Sequence, residues 1–261
     1  MTGDAPAASA GPAAKGVEYL ARLTGLLQDI AARQGDVIDT VSTRMAHIIQ
    51  QQGLVHLYGS AHSMLPVLEI FPRYGSFVGL HPLVDPRLLW FNVLGSGGVP
   101  EMLYIQNTEG YARVFLDGQH VREGDMMIVF SHSGTSAVVI DTALYAKEKG
   151  LPVVAVMSRQ TGAAAGARHS SGKKLLDLAD YVLDTGVPRS EGLVEVEGLP
   201  EPVGAGSTIV ATAIGLALVV SCADHLAANG YPVVQSVRAE ANEHTAYTNV
   251  YDAYERSLRR S

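Results

Sequence analysis

The sequence predicts an α/β protein: a three-layer sandwich whose mainly parallel sheet is flanked by helices and preceded by a helical hairpin. Three observations carry this. "LVHLY" (54–58), "MMIVF" (126–130) and "LPVVAVMS" (151–158) are short apolar runs without polar alternation, as strands buried on both faces require. Segments of helical spacing separate them, "SAVVIDTALYAKEKG" (136–150) being the clearest. Two of the strands end in turns of small hydroxyl residues with a glycine and a histidine, "YGSAHS" (58–63) and "FSHSGTS" (130–136). In open parallel sheets, ligands bind at such carboxyl-end turns.

Taken in order, residues 1–16 are rich in Ala, Gly and Pro and read as a disordered tail without the charged start and apolar core of a secretion signal. Residues 17–250 read as one domain, with 251–261 as a helical C-terminal tail. Leu20, Leu23, Leu26, Leu27, Ile30, Val37, Val41, Met45 and Ile48 recur at helical spacing, giving two helices joined near Gly35, with Asp36 as N-cap. The first strand and its turn lead into a helix from Met64 to Ile70, then "GSFVGL" (75–80) as a second strand. Residues 81–110, with Pro82, Pro86 and Pro100, read as an irregular excursion with short helices. After "MMIVF", its helix and "LPVVAVMS", the segment "GKKLLDLAD" is helical and "YVLDT" strand-like. "GSTIVATAIGLALVVSCADHLAANG" (206–230) closes the domain as a long apolar helix stopped by Gly230.

The 261 residues are 47% hydrophobic, enough for a sizeable core. A net charge of −7 argues against a nucleic-acid surface, which needs clustered Lys and Arg. The apolar stretch Ile209–Val220, interrupted by Thr212 and Gly215, reads as too short to span a bilayer. The single cysteine, Cys222, excludes an internal disulfide and reads as buried packing. A soluble cytoplasmic protein is expected. A helix as apolar as 206–230 belongs in a core or a subunit interface, so a homodimer or larger homo-oligomer is expected.

Ser131, Ser133, Thr135 and Ser136 surround Gly134 at a predicted helix N-terminus, where free N–H groups and the helix dipole favour an anion. Ordinary capping would use one hydroxyl and leave three unexplained. Neither a P-loop nor a G-x-G-x-x-G fingerprint is present, so a compact phosphate monoester fits better than a nucleotide. The histidines lack a metal-site spacing, and neither metal nor cofactor is expected.

"VFSHSGTSAVVIDTALYAKEKGLPVVAVMS" resembles the central signature of SIS (sugar isomerase) domains: strand, S-x-S-G-x-S/T, helix, strand. "YGSAHS" is similar to the first SIS turn, and "PVGAGSTIVATAIGLAL" to the long helix after the last strand. The resemblance implies the SIS fold and phosphate-binding hydroxyls at Ser131, Ser133 and Ser136. Gly59, Ser60 and Ser63 would form the opposite wall. "ARHSSGKKLLDLADYVLDTGVP" (167–188) and "GSAHSM" resemble a stand-alone branch that includes an N-acetylglucosamine 6-phosphate dehydratase. Two departures stand out: Ser60-Ala61 replaces Thr-Gly, and "PRSEG" (188–192) replaces an acidic-Gly arrangement, which leaves the role of Glu191 open.

SIS folds host isomerases, lyases and sensors, and fold does not choose among them. Isomerase and lyase both begin by removing the C2 proton of an open-chain aldose phosphate, so a carboxylate or histidine is required. Glu109 in "NTEGYARV" resembles a catalytic glutamate of muramic acid 6-phosphate etherases and is the first candidate base. As a bare sequence feature it is a solvated loop glutamate. His62, at the tip of the first turn, is the second acid–base candidate, packing against the next helix being the alternative. His81, after "GSFVGL", is the third. In "RHSSGKK", Arg168, His169, Ser170, Ser171 and Lys173 would contact sugar hydroxyls or phosphate, or merely cap a helix. The expected substrate is a phosphorylated amino sugar, N-acetylglucosamine 6-phosphate, which loses its C3 hydroxyl. Aldose–ketose isomerisation and non-catalytic sensing are the alternatives.

Overall fold

The computed structural model describes residues 12–89, 98–235 and 243–259. The expected tail up to residue 11, and residues 90–97 of the expected excursion, lie outside the described residues. Helices α1 (Pro12–Arg33) and α2 (Gly35–Gln50) form the hairpin, so α1 begins within the segment read as tail. Asp36 is not the N-cap. Gln34 holds that position, and Asp36 lies in the first turn, where its charge complements the helix dipole. The Gln34 amide instead ties the hairpin to the sheet edge: Nε2 donates to Asp184 O at 2.6 Å and Oε1 accepts from Asp184 N at 2.8 Å.

The chain continues through β1 (Val55–Gly59), a 3-10 turn (Ala61–Met64), α3 (Leu65–Ile70), β2 (Leu80–Leu83), α4 (Gly98–Gln106) and α5 (Tyr111–Asp117). Next come β3 (Met126–Phe130), α6 (Ala137–Glu148), β4 (Val153–Met157), α7 (Arg159–Ala164), α8 (Leu175–Leu178) and β5 (Tyr181–Asp184). A hairpin of β6 (Gly192–Val194) and β7 (Val203–Ala205), then α9 (Ser207–Ala228) and α10 (Glu243–Leu258), complete it. The main sheet is parallel throughout, in the order β2-β1-β3-β4-β5. Every residue of β1, β3 and β4 is buried, as their apolar runs require. Helices α2, α3 and α9 pack together on one face; α6, with α4, α5 and α8 against it, covers the other.

Four expectations change. "GSFVGL" forms only isolated bridges, Phe77 with Gln235 and Val78 with Leu80, because Gly79 at φ 130° breaks the extended run. The strand proper starts at Leu80, so His81 lies inside it rather than past its end. The β6–β7 hairpin is additional. The apolar helix is 22 residues long, enough by length and composition to cross a bilayer. It is nevertheless a core helix: nine of its residues, from Ser207 to Leu226, are buried, and it packs on α2, α3 and β4. Finally, the C-terminal helix starts at Glu243, well before residue 251. It joins the core through buried Val250 and through Tyr254, whose ring lies 5.2 Å from that of Phe71.

At the amino ends of the strands sits a buried polar network. His56 Nε2 lies 2.9 Å from Asp125 Oδ2, and His56 Nδ1 2.8 Å from His81 Nδ1. Asp125 also accepts from the N–H groups of Leu54 and Arg122. Burial pushes the Asp125 carboxyl up, but the His56 bond and charge, with the two N–H groups, outweigh it and hold the group below the usual carboxylate range.

Candidate functional site

The strand order reverses at β1: the chain leaves β1 for β2 on one side and returns to place β3 on the other. The turn after β1 therefore feeds α3 on one face, and the turn after β3 feeds α6 on the opposite face. Diverging turns leave a crevice at the carboxyl ends of these two strands, where open α/β sheets bind ligands. A cleft of about 610 Å³ lies there.

One wall is the first turn, with Ser60, Ala61, His62 and Ser63. Gly59 permits it: a Cβ there would stand 2.0 Å from Ser63 O, so only glycine lets the turn pass so close. Ala61 holds φ 53°, a left-handed conformation that alanine adopts at a cost. Ser60 Oγ donates to Gln106 Oε1 at 3.1 Å, joining α4 to this wall.

The other wall is the second turn, with Ser131, His132, Ser133, Thr135 and Ser136. Gly134 turns the chain at φ 67°, and its N–H donates to Ser131 Oγ at 3.0 Å. Ser133 and Thr135 hydroxyls pair at 3.0 Å. Ser136 occupies the N-cap position of α6 with no side-chain bond to the helix backbone. Capping therefore does not account for this array, and the hydroxyls face the cleft. Arg168 and Arg189 supply positive charge, and Thr161, Asn107, Glu191 and Ser207 complete the polar lining.

Of the residues expected to act, Ser60, His62, Ser63, Ser131, Ser133, Thr135, Ser136 and Arg168 all line this cleft. Gly59 shapes it from beneath. His81 does not reach it, being buried among the amino ends of the strands with His56. Glu109 also stands outside the lining. Its Oε1 accepts from Ser170 N–H at 2.7 Å and its Oε2 from the Ser170 hydroxyl. Those two bonds hold its carboxyl below the usual range. His169 faces away as well: Ser171 N–H donates to Nδ1 at 3.1 Å, which places the ring proton on Nε2, 3.1 Å from Asp141 Oδ1. Ser170, Ser171 and Lys173 thus belong to a latch around the loop that carries Arg168, not to the lining. The residues that sequence reasoning passed over are Gln106, Asn107, His132, Thr161, Arg189 and Ser207, and Glu191, whose role the sequence left open, joins them in the lining. His132 lies within the quoted signature, and Arg189 and Glu191 within the departing "PRSEG".

Residues 18–158 match the family model described as SIS domain, and the chain belongs to that family. Within it, the chain belongs with the UPF0309 proteins. One from Listeria monocytogenes serotype 4b is 32% identical over 177 residues, covering 68% of this chain and 70% of its own. One from Oceanobacillus iheyensis is 31% identical, covering 74% and 77%. Among solved structures, a phosphoheptose isomerase from Francisella tularensis superposes with a TM-score of 0.54 at 14% identity, covering 82% of this chain and 98% of that one. Its counterpart from Neisseria gonorrhoeae gives 0.50 at 15%, covering 81% and 96%. These two likenesses establish the SIS fold.

Proposed function

We propose that the cleft binds a phosphorylated amino sugar and that the protein dehydrates N-acetylglucosamine 6-phosphate by C2 proton removal and loss of the C3 hydroxyl. The observation that carries the reading is the hydroxyl array, Ser60 and Ser63 facing Ser131, Ser133, Thr135 and Ser136 across one cleft beside Arg168 and Arg189. Hydroxyls and a helix N-terminus suit a dianionic phosphate, and two guanidinium groups balance its charge. His62, in the same cleft, is placed to donate and accept protons at the sugar ring.

Aldose–ketose isomerisation is the second reading, favoured by the fold shared with the phosphoheptose isomerases. The reading includes self-association of two copies in the cytoplasm through the outer side of α9, where Ile209 and Val220 are exposed. The test is proton NMR of the protein with N-acetylglucosamine 6-phosphate in deuterated water, beside calorimetry. Dehydration gives an unsaturated sugar phosphate, isomerisation gives a ketose from a hexose 6-phosphate with a C2 hydroxyl run in parallel, and a sensor gives heat of binding with neither product. Absence of any heat with hexosamine or hexose 6-phosphates overturns the reading.

A further inference from the structure

We infer that Glu191 is the catalytic base that removes the C2 proton, an assignment that rests on the sugar-phosphate reading of the cleft. It is the only carboxylate among the described residues lining the cleft. Its backbone holds φ 62°, a left-handed conformation that a glutamate adopts only when its surroundings impose it. The imposition is visible. Glu191 N–H donates to Pro188 O at 2.9 Å, and Glu191 O accepts from Gly206 N–H at 3.0 Å across the mouth of the β6–β7 hairpin. The side chain is aimed by a bond from the Ser207 hydroxyl at the first residue of α9, itself part of the lining. Strain held on both sides by main-chain bonds, at a charged residue in a ligand cleft, fits a functional role.

In the step assigned to it, a Glu191 oxygen takes the proton from C2 of the open-chain aldehyde, and the C2–H electron pair enters the C1–C2 enolate. In elimination that pair forms the C2–C3 double bond, the C3–O bond breaks, and the leaving hydroxyl departs as water with a proton from the cleft. In isomerisation, which requires a substrate with a hydroxyl on C2, the proton returns to C1, O1 takes up a proton and the C2 hydroxyl gives one up to become the carbonyl. Glu109, by contrast, already accepts two bonds outside the cleft.

The experiment uses the full chain with N-acetylglucosamine 6-phosphate in deuterated water, following loss of the C2 proton by NMR, whether by exchange or by elimination, and binding by calorimetry. Glu191→Gln is expected to slow that loss by about a thousand-fold, the scale of a general base, while Kd changes by about threefold or less. Glu191→Gly relieves the left-handed backbone and is expected to melt no lower than wild type while being equally inactive. Loss of the C2 proton that persists in Glu191→Gln at the wild-type rate overturns the assignment alone. So does a Glu191→Gly protein that melts lower yet still removes that proton, for Glu191 would then be a structural cap of α9. Wild-type protein that binds without losing the C2 proton, by exchange or by elimination, overturns the assignment and the enzymatic reading together. Wild-type protein that gives no heat overturns the sugar-phosphate site and the assignment with it.

Discussion

The Ser131 hydroxyl accepts from Gly134 N–H, which leaves its own proton to donate into the cleft. Ser131→Ala removes that donor and leaves a buried-side N–H without its acceptor, at a cost of about 1–3 kcal/mol. Calorimetry should therefore show sugar-phosphate binding weakened by about ten- to a hundred-fold. Gly59→Ala acts on the fold instead. Its Cβ would overlap the Ser63 carbonyl, so the turn must move, and thermal unfolding should report a loss of about 2–4 kcal/mol together with lost binding. At this scale the hydroxyls were legible because their spacing lies within one short stretch of chain. Glu191 and Ser207 were not, since they are 16 positions apart and meet only through a hairpin.

Strands β1, β3 and β4 could be read from the sequence because burial on both faces leaves an unbroken apolar run. The same logic failed for β6 and β7, three residues each, with β7 exposed throughout: too short and too rich in glycine to leave a pattern. It also misplaced β2. "GSFVGL" is more strand-like than "LHPL", yet Gly79 interrupts it and Phe77 is buried through a bridge to Gln235. The shift put His81 into the network of His56 and Asp125 at the amino ends, which holds β2, β1 and β3 together by polar bonds in an apolar setting. Breaking such a buried pair by Asp125→Ala should cost about 3–5 kcal/mol in denaturant unfolding. The pair also sets an acid limit. The folded Asp125 carboxyl titrates below its unfolded value of about 3.9, so its stabilisation is complete above that value and is lost as pH falls through the depressed one. Unfolding free energy measured from about pH 6 downward should fall less steeply in Asp125→Asn than in wild type.

For the molecule as a whole, α9 poses a problem of solvation. Its inner side is buried on α2, α3 and β4, but Ile209, Ala213 and Val220 follow one another at helical spacing on the outer side, with Ile209 44% and Val220 68% exposed. A charge first enters the helix at Asp224, so the outer stripe has three apolar turns and nothing to hydrate them. A second copy of the chain offers a matching stripe, since a two-fold axis sets the same patch against itself. Charge placed at the centre of such a stripe would be desolvated by the partner without a counter-ion, whereas in a monomer it would simply face water. Val220→Glu should therefore convert a dimer into a monomer in sedimentation analysis at micromolar concentration. Circular dichroism should remain unchanged, because the side chain makes no contribution to the buried core. If the wild-type chain sediments as a monomer at that concentration, or Val220→Glu stays dimeric, the outer side of α9 is not where two copies meet.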